Sequence, residues 1–266
     1  MQSHLTKETE VNKLRTILLA SCLVLSVALA GGTPALVAAA PGPDPVSKDG
    51  RSWILEPYFL VPTMSGTSGI RGLEADVNAS SGDILGALDF GAMLYIEMHG
   101  PKTSVSLDNI YMNLGAGGDT RLGTVAVDLR QTGITLTGYR RFGHCFEGTL
   151  GMTFNSIKVG LTSSGPRGVD LSDHQIWVDP YVGIRLQTPN PKRWRFTLNG
   201  SVGGFGVGSD FAWQAFPEIG YRCSPAFEIS GAFRALDMKY ENGTGSEKFV
   251  YDMTTYGPQL GAKIHF

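Results

Sequence analysis

Side-chain polarity alternates with a period of two along much of this chain, most clearly from Arg193 to Gly204. The apolar members of that run share one face: Trp194, Phe196, Leu198 and Val202. The polar members share the other face: Arg193, Arg195, Thr197, Asn199 and Ser201. Successive side chains of a β-strand point to opposite faces of its sheet. The pattern therefore predicts strands with an apolar environment on one side and a polar environment on the other, and an all-β fold.

Strand and connection lengths distinguish a membrane barrel from a soluble β-sandwich, which alternates in the same way. The alternating segments here run to roughly 10–18 residues, whereas globular strands average about 5–6. The connections also differ in length, as in outer-membrane barrels with short periplasmic turns and longer external loops. Short connections are expected at 99–102, 141–145, 188–192 and 223–225, and longer ones at 63–88, 115–122, 162–173 and 242–247.

Counting the segments predicts a single antiparallel up-and-down transmembrane β-barrel of about ten strands, with eight or twelve also possible. The expected strands are 52–62, 89–98, 103–114, 123–140, 146–160, 174–187, 193–206, 210–223, 226–241 and 248–266. An even count places both chain ends at the periplasmic side. Segment 70–79 is a further strand candidate. Alternation changes phase near 131–133 and 235–236, which indicates either bulges or strand ends that leave the membrane.

The N-terminal residues resemble an export signal. Lys13 and Arg15 precede the apolar run 16–30, which is shorter than the ~20 residues that a spanning helix needs. Residues 1–40 are therefore predicted to be a signal peptide cleaved after Ala30 or Ala40, and 41–51 a flexible lead-in to the barrel at 52–266. A lipoprotein cleavage site before Cys22 is the less favoured alternative.

The polar face of the predicted strands defines the barrel interior. Its charged candidates are Glu56, Asp89, Glu97, Asp108, Glu147, Asp179, Arg185, Arg195, Glu218, Arg222, Glu228, Arg234 and Lys263. Side chains nearly fill an eight-stranded barrel, whereas sixteen strands leave an aqueous channel. Isolated buried charges are costly, so opposite charges in a narrow ten-stranded lumen should pair. This favours an occluded or narrow lumen.

Two further features have alternative interpretations. Residues 81–89 could form a short capped helix that acts as a lid or plug at the outer mouth, or a turn packed on the rim. Cys145 and Cys223 could form a disulfide if their Cα atoms approach within roughly 7 Å, or remain free thiols.

No residue pattern predicts a catalytic, cofactor or metal site. His99 and His144 fall in predicted turns and His174 in an external loop, where lone histidines are usually solvated. The glycines of 203–208 precede a strand rather than a helix, which argues against a phosphate-binding loop. A formal net charge of −2 gives no sign of nucleic-acid binding.

Several segments resemble a family of uncharacterised bacterial outer-membrane β-barrel proteins: 82–93, 106–114, 178–186, 194–214 and 256–266. A looser similarity to small porin-like barrels of the OmpW type depends on architecture alone. The family resemblance implies an outer-membrane location and one barrel, but no activity. The terminal Phe266 is similar to the assembly signal of outer-membrane proteins.

The expected partners are accordingly outer-membrane lipid and, through the C-terminal strand, the barrel-assembly machinery; the oligomeric state is left open. Three functional hypotheses follow, in order of preference. They are a structural or surface barrel with an occluded lumen, a passive pore for small solutes, and a lipid-modifying enzyme.

Overall fold

Twelve β-strands form one antiparallel sheet in a computed structural model that describes residues 50–120, 123–164, 168–189 and 193–266. The predicted signal peptide 1–40, both of its cleavage positions and the lead-in up to residue 49 lie outside the described residues. Among the described residues, no helix is long and apolar enough to cross a membrane.

The elements follow one another along the chain with short connections. They are β1 (Ser52–Leu60), β2 (Thr63–Ile70), β3 (Leu73–Ala79), α1 (Ser81–Ile84), β4 (Leu88–His99), β5 (Thr103–Thr120), β6 (Gly123–Arg141), β7 (Phe146–Ser163), β8 (Val169–Gln187), β9 (Trp194–Gly203), β10 (Phe211–Ser224), β11 (Phe227–Asn242), a 3₁₀ turn (Gly245–Glu247) and β12 (Phe249–His265).

The sheet closes on itself as a ten-stranded barrel. Strands β4 to β12 pair in chain order, and β1 pairs with β4 on one side and with β12 on the other. Strands β2 and β3 form an additional hairpin. Strand β2 pairs with residues 250–256 of β12, beyond the part of β12 that pairs with β1, and β3 pairs with β2. The predicted ten-stranded antiparallel barrel is confirmed, and the candidate strand at 70–79 corresponds to β3.

The register gives the barrel its stagger. Ile54 pairs with Glu97, and the register followed strand by strand around the wall arrives at Met253 on β12. Met253 pairs with Gly66, twelve positions beyond Ile54. Strands staggered in this way tilt by roughly 40° to the barrel axis. A tilted wall of ten strands leaves an interior wider than that of an eight-stranded barrel, which side chains nearly fill.

The two halves of the barrel have opposite polarity. We call the end with the short turns and Phe266 the inner end, and the opposite end the outer end. Near the inner end of β6, Ile134 and Leu136 face outwards and Thr137 faces inwards; near the outer end, Val127 is buried and Asp128 is exposed. The register of β6 with β5 and β7 is unbroken. The phase change that the sequence shows near 131–133 is therefore not a bulge, but the level at which the outward face of the strand changes from apolar to polar and the inward face from polar to apolar.

This inversion corrects the predicted external loops. Residues 115–120, 162–163 and 169–173 are strand rather than loop, because the hairpins continue beyond the outward apolar band around an apolar interior of their own. Strand β9 ends at Gly203, three residues earlier than expected.

Candidate functional site in the barrel lumen

Most of the charged residues predicted to face the lumen are withdrawn from solvent inside the barrel. The buried ones are Glu56, Glu97, Asp108, Glu147, Asp179, Arg185, Glu218, Arg222, Glu228 and Lys263. The side chains of Arg195 and Arg234 are 14% and 11% exposed.

Asp89 is the exception, because its side chain is exposed on the outside of the wall. The register of β4 against β5 shifts between Leu88 and Phe90, where a bulge inserts one residue. Simple alternation counted back from Glu97 places Asp89 inside, but a bulge reverses the faces beyond it. The prediction for this residue was wrong for that reason.

Arg185 connects three strands near the inner end of the lumen. Its guanidinium donates to both carboxylate oxygens of Glu97 at 2.8 and 2.9 Å and to Glu147 at 2.6 Å. The ring of Tyr139 lies 3.8 Å from the guanidinium carbon. Paired hydrogen bonds of this geometry are among the strongest in proteins. Arg141 also donates to Glu147, at 3.1 Å.

A second group surrounds Lys263 on β12. Its ammonium binds Glu218 and lies 3.7 Å from Glu56 and 4.0 Å from Glu228. Ser230 donates to Glu56 at 2.5 Å. All of these side chains lie inside the barrel. Each carboxylate has the Lys263 ammonium within 4.0 Å, so opposite charges lie together in the same layer.

Glu228 completes the layer. Its carboxylate lies 3.4 Å from Arg195, 3.6 Å from Arg222 and 3.4 Å from His265. We call the three groups, centred on Arg185, Lys263 and Glu228, the inner ion-pair layer. It lines the inner end of the lumen with large, mutually compensated side chains. One further ion pair lies closer to the middle of the barrel, where Arg234 donates to Asp108 at 2.6 Å.

The outer half of the lumen is apolar. Five of the seven methionines in the described residues face this space and are buried: Met64, Met93, Met112, Met238 and Met253. Trp177 stacks on Tyr240 with ring centroids 4.1 Å apart. Sequence analysis did not identify this cluster, although the phase changes near 131–133 and 235–236 were its signal.

The β9–β10 loop folds into this half. Ser209 has no exposed surface, and its amide and hydroxyl donate to Asp179 at 2.6 and 2.8 Å. Trp177 and Asn155 donate to the same carboxylate at 2.9 and 3.0 Å. The loop lies so close to β8 that a Cβ at Gly208 would lie 2.5 Å from the Val178 carbonyl oxygen. This close approach explains the glycine at position 208.

We predict that Gly208→Ala displaces this loop from Asp179. The added methyl group has no space, so hydrogen exchange of the Ser209 amide should accelerate about tenfold or more as the loop opens. The control is Gly206→Asn, since position 206 has open space and asparagine tolerates its left-handed φ of 71°. Unchanged Ser209 exchange in Gly208→Ala would contradict the packing described.

Residues 61–87, comprising β2, β3 and α1, lie at the outer end of the barrel, where β2 extends the wall along β12, and we call them the outer lid. The tip of the hairpin reaches across to β8, where Arg71 donates to the Ser172 carbonyl at 3.4 Å. Ile84 of α1 and the following Ala87 belong to the buried apolar cluster inside the barrel. The part 81–87 therefore packs inside the outer end of the barrel, as expected of a plug, whereas Leu88 and Asp89 belong to β4 in the wall.

A reciprocal cap holds α1. The Ser80 hydroxyl accepts from the Asp83 amide, and the Asp83 carboxylate accepts from Ser80 at 2.7 and 3.0 Å. Those hydrogen bonds lower the pKa of Asp83. A lowered pKa means that the cap is fully present above the ordinary pKa of the carboxyl group and is lost as the pH falls through the lowered value.

We accordingly predict that the cap of α1 persists until the pH falls below the ordinary pKa of aspartate. The pH dependence can be measured as the ratio of Ile84 amide exchange in Asp83→Asn to that in the unmodified chain. The ratio should exceed one at neutral pH and approach one in acid. A ratio that does not vary with pH would contradict a role for the ionised carboxylate.

The histidines and cysteines differ in part from the expectations. His99 lies 3.3 Å from Glu97 in the inner ion-pair layer rather than in a solvated turn, whereas His144 is exposed. His174 is exposed on the outward face of β8, and its Nε2 lies 3.0 Å from the Ser156 hydroxyl. Both Cys145 and Cys223 are free thiols. Within the described ranges, no group of histidine, cysteine and acidic side chains could hold a metal ion.

Comparison with known proteins finds only distant structural likeness. No family model and no curated protein matches the sequence. Ail of Yersinia pestis is 10% identical with a TM-score of 0.37, covering 82% of this chain and 99% of Ail. The translocator domain of the autotransporter NalP from Neisseria meningitidis is 12% identical with a TM-score of 0.32, covering 83% and 90%. The toluene transporter TodX of P. putida is 9% identical with a TM-score of 0.30, covering 82% and 90%.

Likeness at this level carries no argument about this chain. The resemblance to a family of uncharacterised outer-membrane barrels, and to the OmpW type, stays a prediction.

Proposed function

We propose that this chain is an outer-membrane β-barrel of the structural or surface type, with a lumen that does not conduct solutes. The observations that carry the proposal are an apolar band around the wall, a layer of paired charges near the inner end of the lumen and buried apolar side chains in its outer half. Lipid accounts for the band, and we infer that the two lumenal layers hinder the passage of ions.

The apolar band supports contact with lipid. Large apolar side chains remain exposed around the inner half of the wall, including Leu150 at 67%, Phe196 at 56% and Leu260 at 69%. Soluble proteins rarely leave apolar patches larger than a few hundred Å² in water. A closed barrel has no unpaired edge, which is the condition for a sheet to cross a bilayer. The polar outer half then projects beyond the headgroups.

The inner ion-pair layer at one end and the outer lid with the buried methionines at the other support a non-conducting lumen. Ions entering from the inner end meet the inner ion-pair layer, whose charges are already compensated by one another. Ions entering from the outer end meet the outer lid and the buried methionines, an environment in which a bare ion is costly. Either barrier alone would restrict conduction, and the two lie in series.

Planar-bilayer recording tests this proposal. We expect the folded chain to show no single-channel conductance, and deletion of the outer lid alone to leave it silent because the inner ion-pair layer remains. Heat-modifiable gel migration of the same samples establishes that the barrel is folded. Steady ion conductance by the unmodified, folded chain would overturn the proposal and favour the passive pore instead.

The C-terminal strand carries the proposed contact with the assembly machinery. Phe266 closes the barrel through its backbone, which exchanges hydrogen bonds of 2.7 and 3.0 Å with Trp53. Its side chain is 56% exposed and contributes little to that closure. Phe266→Ala should therefore slow assembly in cells while leaving the stability of the folded barrel nearly unchanged.

A lipid-modifying enzyme is the second candidate, and one observation favours it. The contact between Ser156 and His174 lies on the outward face, where lipid headgroups could reach it. Within the described part of the chain, no carboxylate contacts the other ring nitrogen of His174, so the base lacks the group that usually orients it. Lipid-A mass spectra that change with the unmodified chain but not with Ser156→Ala would establish this activity.

A further inference from the structure

Three basic side chains lie next to one another on the outside of the barrel wall. Arg130 on β6 is directly opposite Lys158 on β7, and Lys158 is directly opposite His174 on β8. All three are exposed, and we call them the basic row. Like charges directly opposite each other on neighbouring strands destabilise a sheet. The Arg130–Lys158 pair therefore costs the barrel stability unless an anion lies between the two charges.

Neighbouring carboxylates do not compensate the basic row. Asp128 lies two positions farther out on β6, opposite Gly115 on β5, and the Asp89 carboxylate lies beside the same glycine. Both carboxylates belong to the next row outwards, farther from the apolar band. Within the described residues, neither forms an ion pair with Arg130 or Lys158.

The basic row lies at the outer edge of the apolar band. Within four positions towards the inner end, the same face carries Ile134 on β6, Phe154 on β7 and Ile176 on β8, and all three are exposed. In a barrel that crosses the outer membrane, the residues just beyond the apolar band meet the lipid headgroups. The outer end then faces the outer leaflet, so the basic row lies among the headgroups of that leaflet.

Arginine and lysine side chains at this level favour a phosphate group as the ligand. An arginine guanidinium forms paired, charge-assisted hydrogen bonds with phosphate oxygens, and a lysine ammonium contributes a compact positive charge. Neutral polar groups flank them: Arg130 Nε donates to the Asn113 amide oxygen at 3.2 Å, and the Ser156 hydroxyl lies 3.0 Å from His174 Nε2. The exposed apolar residues beside the row favour a phosphate that carries acyl chains, because a free phosphate would leave them uncovered.

We propose that the basic row binds a phosphate group of a phosphorylated glycolipid in the outer leaflet. Arg130 and Lys158 bind the phosphate oxygens, and the acyl chains lie against Ile134, Phe154 and Ile176. The bound phosphate places negative charge between the two cations and removes their repulsion. This inference rests on the membrane location proposed above, but it is independent of whether the lumen conducts ions.

Amide NMR on the full folded chain in phosphatidylcholine nanodiscs tests the site. The probe is diphosphoryl lipid A at increasing mole fraction, and its matched analogue is lipid A from which both phosphates have been removed. Inorganic phosphate tests the alternative source of the same anion. We expect diphosphoryl lipid A to shift the Arg130 and Lys158 amide signals saturably, and the other two compounds to act at least tenfold more weakly.

Substitutions separate the basic row from surface charge in general. Lys158→Gln should weaken binding about fivefold, the usual effect of one cation near an anionic membrane surface. Arg130→Gln should weaken it about tenfold, because paired hydrogen bonds are lost as well. Lys239→Gln is the matched control: Lys239 is exposed on β11, but it lies 3.7 Å from Glu241 and opposite Asp252, so binding should stay within about twofold.

Three results would overturn the proposal. They are the absence of saturable shifts in a chain whose heat-modifiable migration shows a folded barrel, an equal response to inorganic phosphate, and a loss in Lys239→Gln as large as that in Lys158→Gln. A chain that conducts ions and still binds the lipid would overturn the occluded-barrel proposal and leave this one standing. A chain that folds in plain buffer without any amphiphile would overturn the membrane location, and the lipid site with it.

Discussion

Replacing Arg185 with leucine is expected to destabilise the barrel by about 3–5 kcal/mol, the usual cost of removing one partner from a buried ion pair. The guanidinium is 5% exposed, and it neutralises Glu97 on β4 and Glu147 on β7 from its own place on β8. Without it, two buried carboxylates face each other with much less compensation. Urea unfolding in lipid vesicles, followed by circular dichroism and gel migration, measures the loss.

Arg141→Leu is the matched control. Arg141 binds the same Glu147, but its side chain is 34% exposed. Partly solvated ion pairs contribute about 0–1 kcal/mol, so the same substitution at this position should cost little. Equal losses at 185 and 141 would mean that the layer is hydrated, and the inner closure inferred from it would fail.

Arg185→Leu also tests the inner closure functionally. The leucine is shorter than arginine and cannot span from β8 to β4, so it opens a path beside Glu97. We expect brief cation-selective openings in planar bilayers when this substitution is combined with deletion of the outer lid, and silence from either change alone. Conductance from the lid deletion by itself would show that the inner ion-pair layer does not seal the lumen.

Replacing Trp177 with alanine is expected to cost about 3–5 kcal/mol, as for other buried aromatic residues. Trp177 is 6% exposed, stacks on Tyr240 and donates to Asp179 at 2.9 Å. Its removal leaves a cavity in the apolar outer half and takes a donor from a buried carboxylate. The same unfolding measurement applies, and Ser209 exchange should accelerate because both residues bind Asp179.

Trp177→Phe separates the two contributions. Phenylalanine keeps a ring against Tyr240 and loses only the indole N–H, so the loss should fall to about 1–2 kcal/mol. Trp194→Ala serves as the outward control, because that side chain is 53% exposed on the wall and fills no internal space. A loss at 194 as large as that at 177 would argue against an ordered core in the outer half.

The predictability of the site varied from residue to residue for physical reasons. Arg185 and Glu228 were predicted to face inwards because polar and apolar residues alternate regularly on either side of each of them. Asp89 was misplaced because one bulged residue reverses the faces, and nothing in the local sequence distinguishes a bulge from regular strand. His99 was taken for a turn residue because the strand continues farther towards the inner end than its apolar pattern does.

The outer half was harder to predict, since its pattern is the reverse of the pattern that defines a membrane strand. Val127 and Met238 are apolar residues at inward positions, where a polar lumen was expected. In the sequence, this reversal is visible as a change in the phase of polar–apolar alternation. A bulge would produce the same change. Only the continuous register of β6 with both of its neighbours excluded the bulge.

The residues by themselves determined the strand period, an antiparallel barrel of about ten strands and, Asp89 excepted, which charged side chains lie inside, because polarity at alternate positions is a local property of each strand. The tertiary structure decided which charges pair and that Ile84 of α1 packs inside the outer end of the barrel. These depend on the stagger of the strands around the closed wall, which brings together residues far apart in the chain, such as Glu97 and Arg185, and no local pattern encodes that stagger.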